Sequence, residues 1–188
     1  MDGEAVIAAT REWVEKAVIG LNLCPFAKAV YVKNQVRFAV STARHLDGLL
    51  EDLDRELDFL AAADPEAVDT TLLIHPTLLP DFLDFNDFMQ LTEAAVGEHG
   101  LEGVIQIASF HPAFQFADTA PDDIGNYTNR APYPTLHLLR EASIARAVAA
   151  FPEAETIYER NIETLKALGR AGWEALWAAP PRSGKNES

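Results

Sequence analysis

Two short apolar runs, each ended by a His-Pro dipeptide, constrain the fold of this chain more than any other feature. Residues 70–76 read TTLLIHP, and residues 104–112 read VIQIASFHP. Each run is short and rich in residues that favour strands, and its proline forbids further ladder pairing, so each predicts a β-strand. An amphipathic helix pattern that follows Pro80 separates the two runs. We therefore expect a strand, a helix and a second strand in this part of the chain.

Amphipathic helix patterns account for most of the remaining chain. The clearest pattern places leucine at positions 46, 49, 50, 53, 57 and 60, which is the spacing of one face of a helix. Similar patterns predict about five helices, over residues 6–21, 46–60, 82–97, 134–150 and 152–169. Residues 111–134 have no periodic pattern, and a loop of more than ~12–15 residues in a compact domain is often functional.

Residues 29–40, AVYVKNQVRFAV, predict a β-hairpin. A three-residue loop would place Val32 opposite Val36 and Val30 opposite Phe38, so that one face is apolar. Since hairpin strands are antiparallel, the sheet must be antiparallel or mixed. Four strands, made of this hairpin and the two His-Pro strands, would then pack against helices on one face. The expected fold class is an α+β two-layer sandwich.

The size and composition of the chain fit one folded domain. It has 188 residues, of which 48% are hydrophobic and 23% charged, a balance typical of globular proteins. We expect a single α+β domain over residues 1–179. Residues 180–188, which read PPRSGKNES, are expected to form a disordered tail.

The charge of the chain restricts its partners. Its formal net charge is −14, which repels phosphate backbones and argues against nucleic acids and anionic membranes. Its single cysteine favours a reducing compartment, and neither a signal peptide nor a membrane-spanning stretch is expected. We therefore expect a cytoplasmic protein, monomeric or homodimeric, with a small anionic molecule as its partner.

His75 and His111 are candidate catalytic residues because each follows a predicted strand directly. If the two strands run parallel as neighbours, both imidazoles emerge at the same rim of the sheet. Imidazole titrates near neutrality, so a pair at one rim favours acid–base chemistry or metal binding. The alternative is that each histidine is a hydrogen-bonded residue in the turn that ends its strand.

Cys24 is the third candidate, because it lies on a bend after the first predicted helix and directly before Pro25. An inert, partly apolar cysteine is one interpretation. If an imidazole lies nearby, it could lower the thiol pKa and make Cys24 a nucleophile. Alternatively, Cys24, His75 and His111 could hold a divalent metal such as zinc, with Asp122, Asp123 or water as the fourth ligand.

The segment 122–141 contains the densest group of polar and charged side chains. Arg130 precedes a predicted helix, whose free N–H groups attract anions, and on that helix His137, Arg140 and Glu141 would share one side. A carboxylate or phosphate could be bound there, although salt bridges within a solvated turn are the alternative. The candidate substrate-binding residues are Asp123, Asn126, Tyr127, Asn129, Arg130, His137, Arg140 and Glu141.

Other features indicate structure rather than chemistry. Trp173 and Trp177 are interpreted as residues that dock the final helix. The sequence contains no glycine-rich phosphate loop, no Gly-x-Ser-x-Gly elbow and no His-Glu-x-x-His, which argues against nucleotide hydrolysis, serine hydrolysis and metalloprotease chemistry.

Three motifs resemble an uncharacterised bacterial family, domain of unknown function 1415. They are NLCPFA at 22–27, ASFHP at 108–112 with the following Gln115-Phe116, and NYTNR at 126–130 with PYP at 132–134. The resemblance spans roughly residues 5–170. It implies a single-domain cytosolic protein but no activity, substrate or cofactor. The family has serine where this chain has Ala131, so a hydroxyl at that position is not essential here.

The leading hypothesis is an enzyme that acts on a small anionic metabolite by hydrolysis or group transfer. Its site would lie at one rim of the sheet, where Cys24, His75 and His111 meet the 122–141 segment. Arg130 and Arg140 would hold the anion. Two alternatives remain open: a metal-binding protein without turnover, and a non-catalytic binding module.

Overall fold

A mixed four-stranded sheet lies at the centre of the computed structural model, which describes residues 2–151 and 153–177. Its strands are β1 (Val36–Val40), β2 (Thr70–Ile74), β3 (Ile105–Phe110) and β4 (Thr135–Arg140), in the order β1-β2-β4-β3. β1 is parallel to β2, whereas β4 is antiparallel to both of its neighbours. The predicted α+β class and mixed sheet are confirmed.

Helices make up most of the remaining structure. The α-helices are α1 (Gly3–Trp13), α2 (Ala27–Val32), α3 (Leu46–Ala62), α4 (Phe82–Glu98), α5 (Glu141–Ala150) and α6 (Ile157–Ala175). α1 continues into a π-helical segment, Val14–Ile19, and 3-10 helices span Ile124–Asn129 and Ala154–Thr156. No helix in the described residues is long and apolar enough to cross a membrane. The predicted tail, 180–188, lies outside the described residues.

Helices cover both faces of the sheet, which corrects the expected two-layer sandwich. Side chains alternate along a strand, and in β2 Leu73 packs into the cluster formed with α3 and α4. Leu72 and Ile74 pack instead with residues of α1, α6 and the 3-10 helix. Because every residue of β2 is buried, the strand needs an apolar layer on each side. We call the two sides the α3/α4 face and the α1/α6 face.

The predicted hairpin is wrong, because its first half is helical. Residues Ala27–Val32 form α2, which ends as Asn34 adopts a left-handed conformation with φ 58. The Gln35 N–H then donates to Val30 O at 2.9 Å, a bond that closes the helix end. β1 pairs in parallel with β2 through the crossover that contains α3. Val32, expected in the hairpin face, is 73% exposed.

Six residues near the start of the predicted helix 134–150, Thr135–Arg140, form a strand instead. Leu136 and Leu138 lie on one face of β4 and are fully buried, whereas His137 lies on the other. The sequence does not show this alternation clearly, because Leu139, on the same face as His137, is also apolar. Both edges of β4 are paired, so inter-strand hydrogen bonds replace those of a helix. The helix begins only at Glu141.

The ends of three strands define one rim of the sheet. In the register, Thr135 at the start of β4 is opposite both Ile74 and Phe110, the last residues of β2 and β3. His75 and His111 follow directly, so both emerge at this edge, which we call the histidine rim. The prediction that they share a rim is confirmed, although β4 separates their strands.

Candidate functional site

The two histidines meet beneath α4. The Phe85 ring lies 5.7 Å from the His75 ring and 5.1 Å from the His111 ring, between ring centroids. Both histidines are 0% exposed. They therefore lie on the α3/α4 face, packed into the core rather than open to a ligand.

His111 has a partner for each ring nitrogen. Its Nε2 donates to Leu79 O at 3.0 Å, and its Nδ1 accepts from the Ala113 N–H at 3.0 Å. An Nδ1 that accepts is unprotonated, so this arrangement requires the neutral ring. Burial lowers the pKa of His111, opposed by its bond to Leu79 and the charge of Asp81. The ring ties the loop before α4 to the turn after β3.

His75 is neutral for a different reason. Within residues 2–151 and 153–177, neither of its ring nitrogens has a hydrogen-bond partner of normal geometry. Burial lowers the pKa of His75 to about 4, with a smaller contribution from nearby His111, and the Leu78 backbone opposes the shift only in part. At neutral pH the ring is thus an uncharged core side chain. A buried ring of this kind cannot reach a ligand at the surface.

The backbone N–H groups of both histidines also hold the segment that crosses the histidine rim. The His111 N–H donates to Asn129 O at 3.1 Å, and the His75 N–H donates to Pro134 O at 3.1 Å. Residues 129–134, which we call the rim strap, are therefore fixed at both ends. In each case the next residue is a proline without an N–H, so these are the last bonds that each strand end can donate. The His-Pro dipeptides position the strap.

A cavity of about 510 Å³ opens beside the rim strap on the α1/α6 face. We call it the aromatic cavity. α1 contributes Ala9, Glu12 and Trp13; the rim strap contributes Arg130, Ala131 and Pro132; the remaining lining residues are Pro112, Tyr127, Trp173, Glu174 and Trp177. All three tryptophans of the chain line it.

A second cavity, of about 320 Å³, lies against α4, and the charged residues of its described lining are Asp84 and Asp87.

Arg130 is the cation of the aromatic cavity. Its guanidinium lies 4.2 Å from the Tyr127 ring centroid and donates to Phe114 O at 3.3 Å and to Pro121 O at 2.7 Å. No carboxylate of residues 2–151 and 153–177 lies within ion-pair distance of it. Because a guanidinium has five N–H donors, donors remain for a ligand. The ring and the two carbonyls hold it in one orientation.

Edge-to-face contacts fix the aromatic walls. The Trp173 ring lies 5.1 Å from that of Tyr127 and 5.6 Å from that of Trp177, and Trp13 lies 5.0 Å from Phe110. Such contacts orient rings as well as stabilising them. Trp177 is 36% exposed, whereas Trp13 and Trp173 are buried. The cavity thus has two fixed indole walls and one indole that faces solvent.

The end of α6 is directed into the cavity by a break in the helix. Gly169 has φ 68 and ψ 172, a non-helical conformation inside α6 that only glycine adopts readily. Beyond it, Lys16 donates through Nζ to Leu176 O at 2.9 Å. The break and this bond together place Trp173 and Trp177 against α1.

Asp123, Asn126 and Asn129 of the long loop make hydrogen bonds within the loop or to a strand. Asp123 accepts the Gly125 N–H at 2.8 Å and caps the 3-10 helix. Asn126, 0% exposed, accepts from the Phe116 N–H and donates to Ala120 O, each at 2.9 Å. Asn129 donates through Nδ2 to Ser109 O at 3.2 Å. These predicted substrate-binding residues shape the loop, and only Tyr127 and Arg130 of the predicted set line the aromatic cavity.

Cys24 lies apart from the histidines, which corrects the expected convergence. Its neighbour Leu23 packs on the α1/α6 face and accepts a hydrogen bond from Asn161 at 2.8 Å, while the imidazoles lie on the opposite face. Burial raises the pKa of the Cys24 thiol, against the smaller effect of two backbone N–H groups. The protonated thiol is a poor nucleophile. Cys24 does not line the aromatic cavity.

The predicted residues of β4 lie away from the cavity because β4 is a strand. Arg140 is opposite Ile105, at the far rim, and donates to Ala63 O at 2.9 Å and to Val68 O at 3.0 Å. These bonds brace the end of α3 and the segment that follows it. Glu141 begins α5 at the same far rim. The expected grouping of His137, Arg140 and Glu141 on one helix side is therefore wrong.

His137 points to the α1/α6 face and bonds to Thr70. Thr70 Oγ1 donates to Leu138 O at 2.6 Å, so it accepts from His137 Nε2 at 2.8 Å. His137 keeps some exposed surface, yet desolvation of its ring lowers its pKa to about 4. It does not line the aromatic cavity, and its role is in the sheet.

The predicted metal ligands do not come together. Within the described ranges, no three histidine, cysteine, aspartate or glutamate side chains form a group that could hold a metal ion. Leu23, next to Cys24, packs on the α1/α6 face, whereas His75 and His111 pack against Phe85 on the α3/α4 face. The proposed zinc ligand set is therefore not formed by this fold.

Sequence reasoning missed the tryptophans as cavity residues. Trp173 does dock α6, as predicted, through Tyr127, but it also forms a wall. The available signal was the spacing of Trp173 and Trp177, one turn apart and shortly after Gly169. The role of Trp13 could not be found in this way, because it depends on how α1 meets the end of α6.

Comparison with known proteins identifies the family. No curated protein and no solved structure matches the chain significantly. A family model described as "Protein of unknown function (DUF1415)" matches residues 5–175, which confirms the resemblance of the three motifs. The chain belongs to this DUF1415 family.

Proposed function

We propose that this protein binds a small organic anion in the aromatic cavity. The observation that carries the proposal is Arg130, an oriented guanidinium with no carboxylate of the described residues in ion-pair distance, set among indole rings. The guanidinium would pair with a carboxylate or phosphate of the ligand. The apolar body of the ligand would lie against Trp13 and Trp173.

The size and chemistry of the cavity support this proposal. Small-molecule sites are mostly apolar clefts of ~300–1,000 Å³ with a few fixed polar groups, and the aromatic cavity has about 510 Å³. Arginine suits planar, bidentate recognition of carboxylates and phosphates. The smaller cavity beside α4 has Asp84 and Asp87 as its charged lining residues in the described part of the chain, and they would repel an anion.

A binding function without turnover fits the geometry best. Among the described residues, neither a cysteine nor a histidine lines the aromatic cavity, so the groups expected to act as nucleophile and proton carrier would not contact the ligand. An enzyme acting on the same anion, by hydrolysis or group transfer, is the second candidate. Glu12 and Glu174 favour it, because carboxylates that line the cavity could serve as general bases. NMR spectra recorded after incubation of the protein with the anion distinguish the two candidates, because only an enzyme would form a product.

We place this function in the cytoplasm, for a monomer or homodimer. The net charge of −14 supports a small-molecule ligand over nucleic acid or an anionic membrane surface. A single cysteine, Cys24, suits a reducing compartment.

Tryptophan fluorescence tests the proposal, since all three tryptophans line the cavity. We expect 3-phenylpropanoate or phenyl phosphate to change the emission in a saturable way. Arg130→Gln should weaken binding about tenfold or more, because a charge-assisted hydrogen bond contributes about 1.5–3 kcal/mol.

Arg146→Gln is the matched control, because Arg146 lies on α5 and bonds to Ser143. It should bind both anions like the wild type. Equal binding by the Arg130→Gln protein would contradict the proposal.

A further inference from the structure

The aromatic cavity holds charges of both signs. Arg130 reaches it from the rim strap, whereas Glu12 reaches it from α1 and Glu174 from α6. Among the residues that the structure describes, the lining thus has two carboxylates and one guanidinium. A ligand that is only an anion would be attracted by Arg130 and repelled by both glutamates.

Neither glutamate is fully occupied by its protein partner. Glu12 pairs with Lys16 at 2.6 Å and Glu174 with Arg170 at 2.9 Å, each one turn along its own helix. The side chains of Glu12 and Glu174 are 48% and 63% exposed, and exposed pairs of this kind contribute little to stability. A carboxylate offers about four acceptor positions. Acceptor positions therefore remain on both glutamates for a ligand.

The indole rings add a second attraction for positive charge. Ammonium groups are attracted to the faces of aromatic rings, tryptophan above all. Trp177 is one turn or less from Glu174 in sequence and is 36% exposed. A ligand ammonium beside Glu174 would thus be close to an accessible indole.

We propose that the ligand is a zwitterion, an α-amino acid with an apolar side chain. This inference rests on the proposed function and extends it from an anion to a ligand with both charges. Its carboxylate pairs with Arg130 and its ammonium with Glu12 and Glu174. Its side chain packs against the buried indoles of Trp13 and Trp173. Arg130, Glu12 and Glu174, the charged residues of the described lining, would then each pair with an opposite charge on the ligand.

Three compounds that share one phenyl group test the inference. L-Phenylalanine carries both charges, 3-phenylpropanoate lacks the ammonium, and 2-phenylethylamine lacks the carboxylate. We expect L-phenylalanine to bind the wild-type protein at least about threefold more tightly than either analogue, measured by tryptophan fluorescence or calorimetry. Absence of binding by L-phenylalanine overturns the inference.

Substitution of the glutamates separates this inference from the proposed function. Glu12→Gln and Glu174→Gln should each weaken L-phenylalanine binding about threefold and should not weaken 3-phenylpropanoate binding. Glu163→Gln, an exposed position on α6 that does not line the cavity, is the control. If 3-phenylpropanoate binds as tightly as L-phenylalanine and still needs Arg130, the zwitterion is wrong and the anion site stands. If Arg130→Gln leaves all binding unchanged, both are wrong.

Discussion

At the scale of single residues, burial decides what the reactive side chains can do. His75 and His111 are 0% exposed, and burial lowers the pKa of both. Burial raises the pKa of Cys24 instead. All three groups are therefore held in their neutral forms at neutral pH. The Arg130 guanidinium is half-buried and oriented by the Tyr127 ring and two carbonyls, which is why the proposal pairs it with the ligand anion.

His75 should make the stability of the protein depend on pH. Its folded pKa is about 4, below the usual 6.5, so the unfolded chain binds the proton first as the pH falls. The stability associated with neutral His75 is complete above pH ~6.5 and is lost progressively between pH ~6.5 and ~4. Linkage gives a loss of about 2 kcal/mol by pH ~5.

His75→Leu removes this titration and a buried polar ring whose nitrogens have no hydrogen bond of normal geometry in the described part of the chain. Urea denaturation should show equal or greater stability of the variant at pH 7. Between pH 7 and pH 5 the variant should lose about 2 kcal/mol less than the wild type. His45→Gln, at an exposed position, should behave as the wild type does. Parallel pH profiles for wild type and His75→Leu would refute this role of burial.

At the scale of elements, sequence patterns predict the helices and strand ends whose structure depends on neighbouring residues in the chain. The leucine stripe of α3 and the apolar side of α4 are complete within each helix, and the prolines of the His-Pro dipeptides mark where β2 and β3 end. β4 and α2 depend on their surroundings. β4 is a strand because β2 and β3 pair with both of its edges, which no window of sequence shows.

The break at Gly169 agrees only in part with the sequence prediction for this helix. A helix end at Gly169 was predicted, and the structure has a non-helical residue there with φ 68, after which the helix resumes. A Cβ at this position would meet nothing within 4 Å. Any cost of a side chain at this position therefore comes from the backbone conformation alone.

Gly169→Ala should destabilise the end of α6 by about 1–3 kcal/mol, the cost of a residue other than glycine in this region of φ and ψ. Displacement of Trp173 and Trp177 should lower ligand affinity and shift their fluorescence. Gly3→Ala is the control, since its Cβ also meets nothing within 4 Å and its φ is ordinary. An unaltered melting temperature and emission in Gly169→Ala would show that the break does not position the tryptophans.

At the scale of the whole molecule, the candidate site was predicted in part. The shared histidine rim and the long loop that carries Tyr127 and Arg130 follow from strand ends and from the lack of periodicity. Which face of the sheet each side chain would occupy could not be predicted, because that depends on strand order and register. The sheet separates the aromatic cavity, and Leu23 next to Cys24, from the two imidazoles. The aromatic cavity therefore lies beside a strap whose two ends are bonded to the backbones of the buried histidines.

The central claim is that Arg130 holds a small organic anion among the three tryptophans. NMR of the indole N–H groups tests it directly, because the chain has 3 tryptophans and all of them line the cavity. Titration with 3-phenylpropanoate should shift all three indole resonances in the wild-type protein, and should shift them far less in Arg130→Gln at the same concentration. Unmoved indole resonances in the wild type, or equal shifts in the two proteins, would contradict the account.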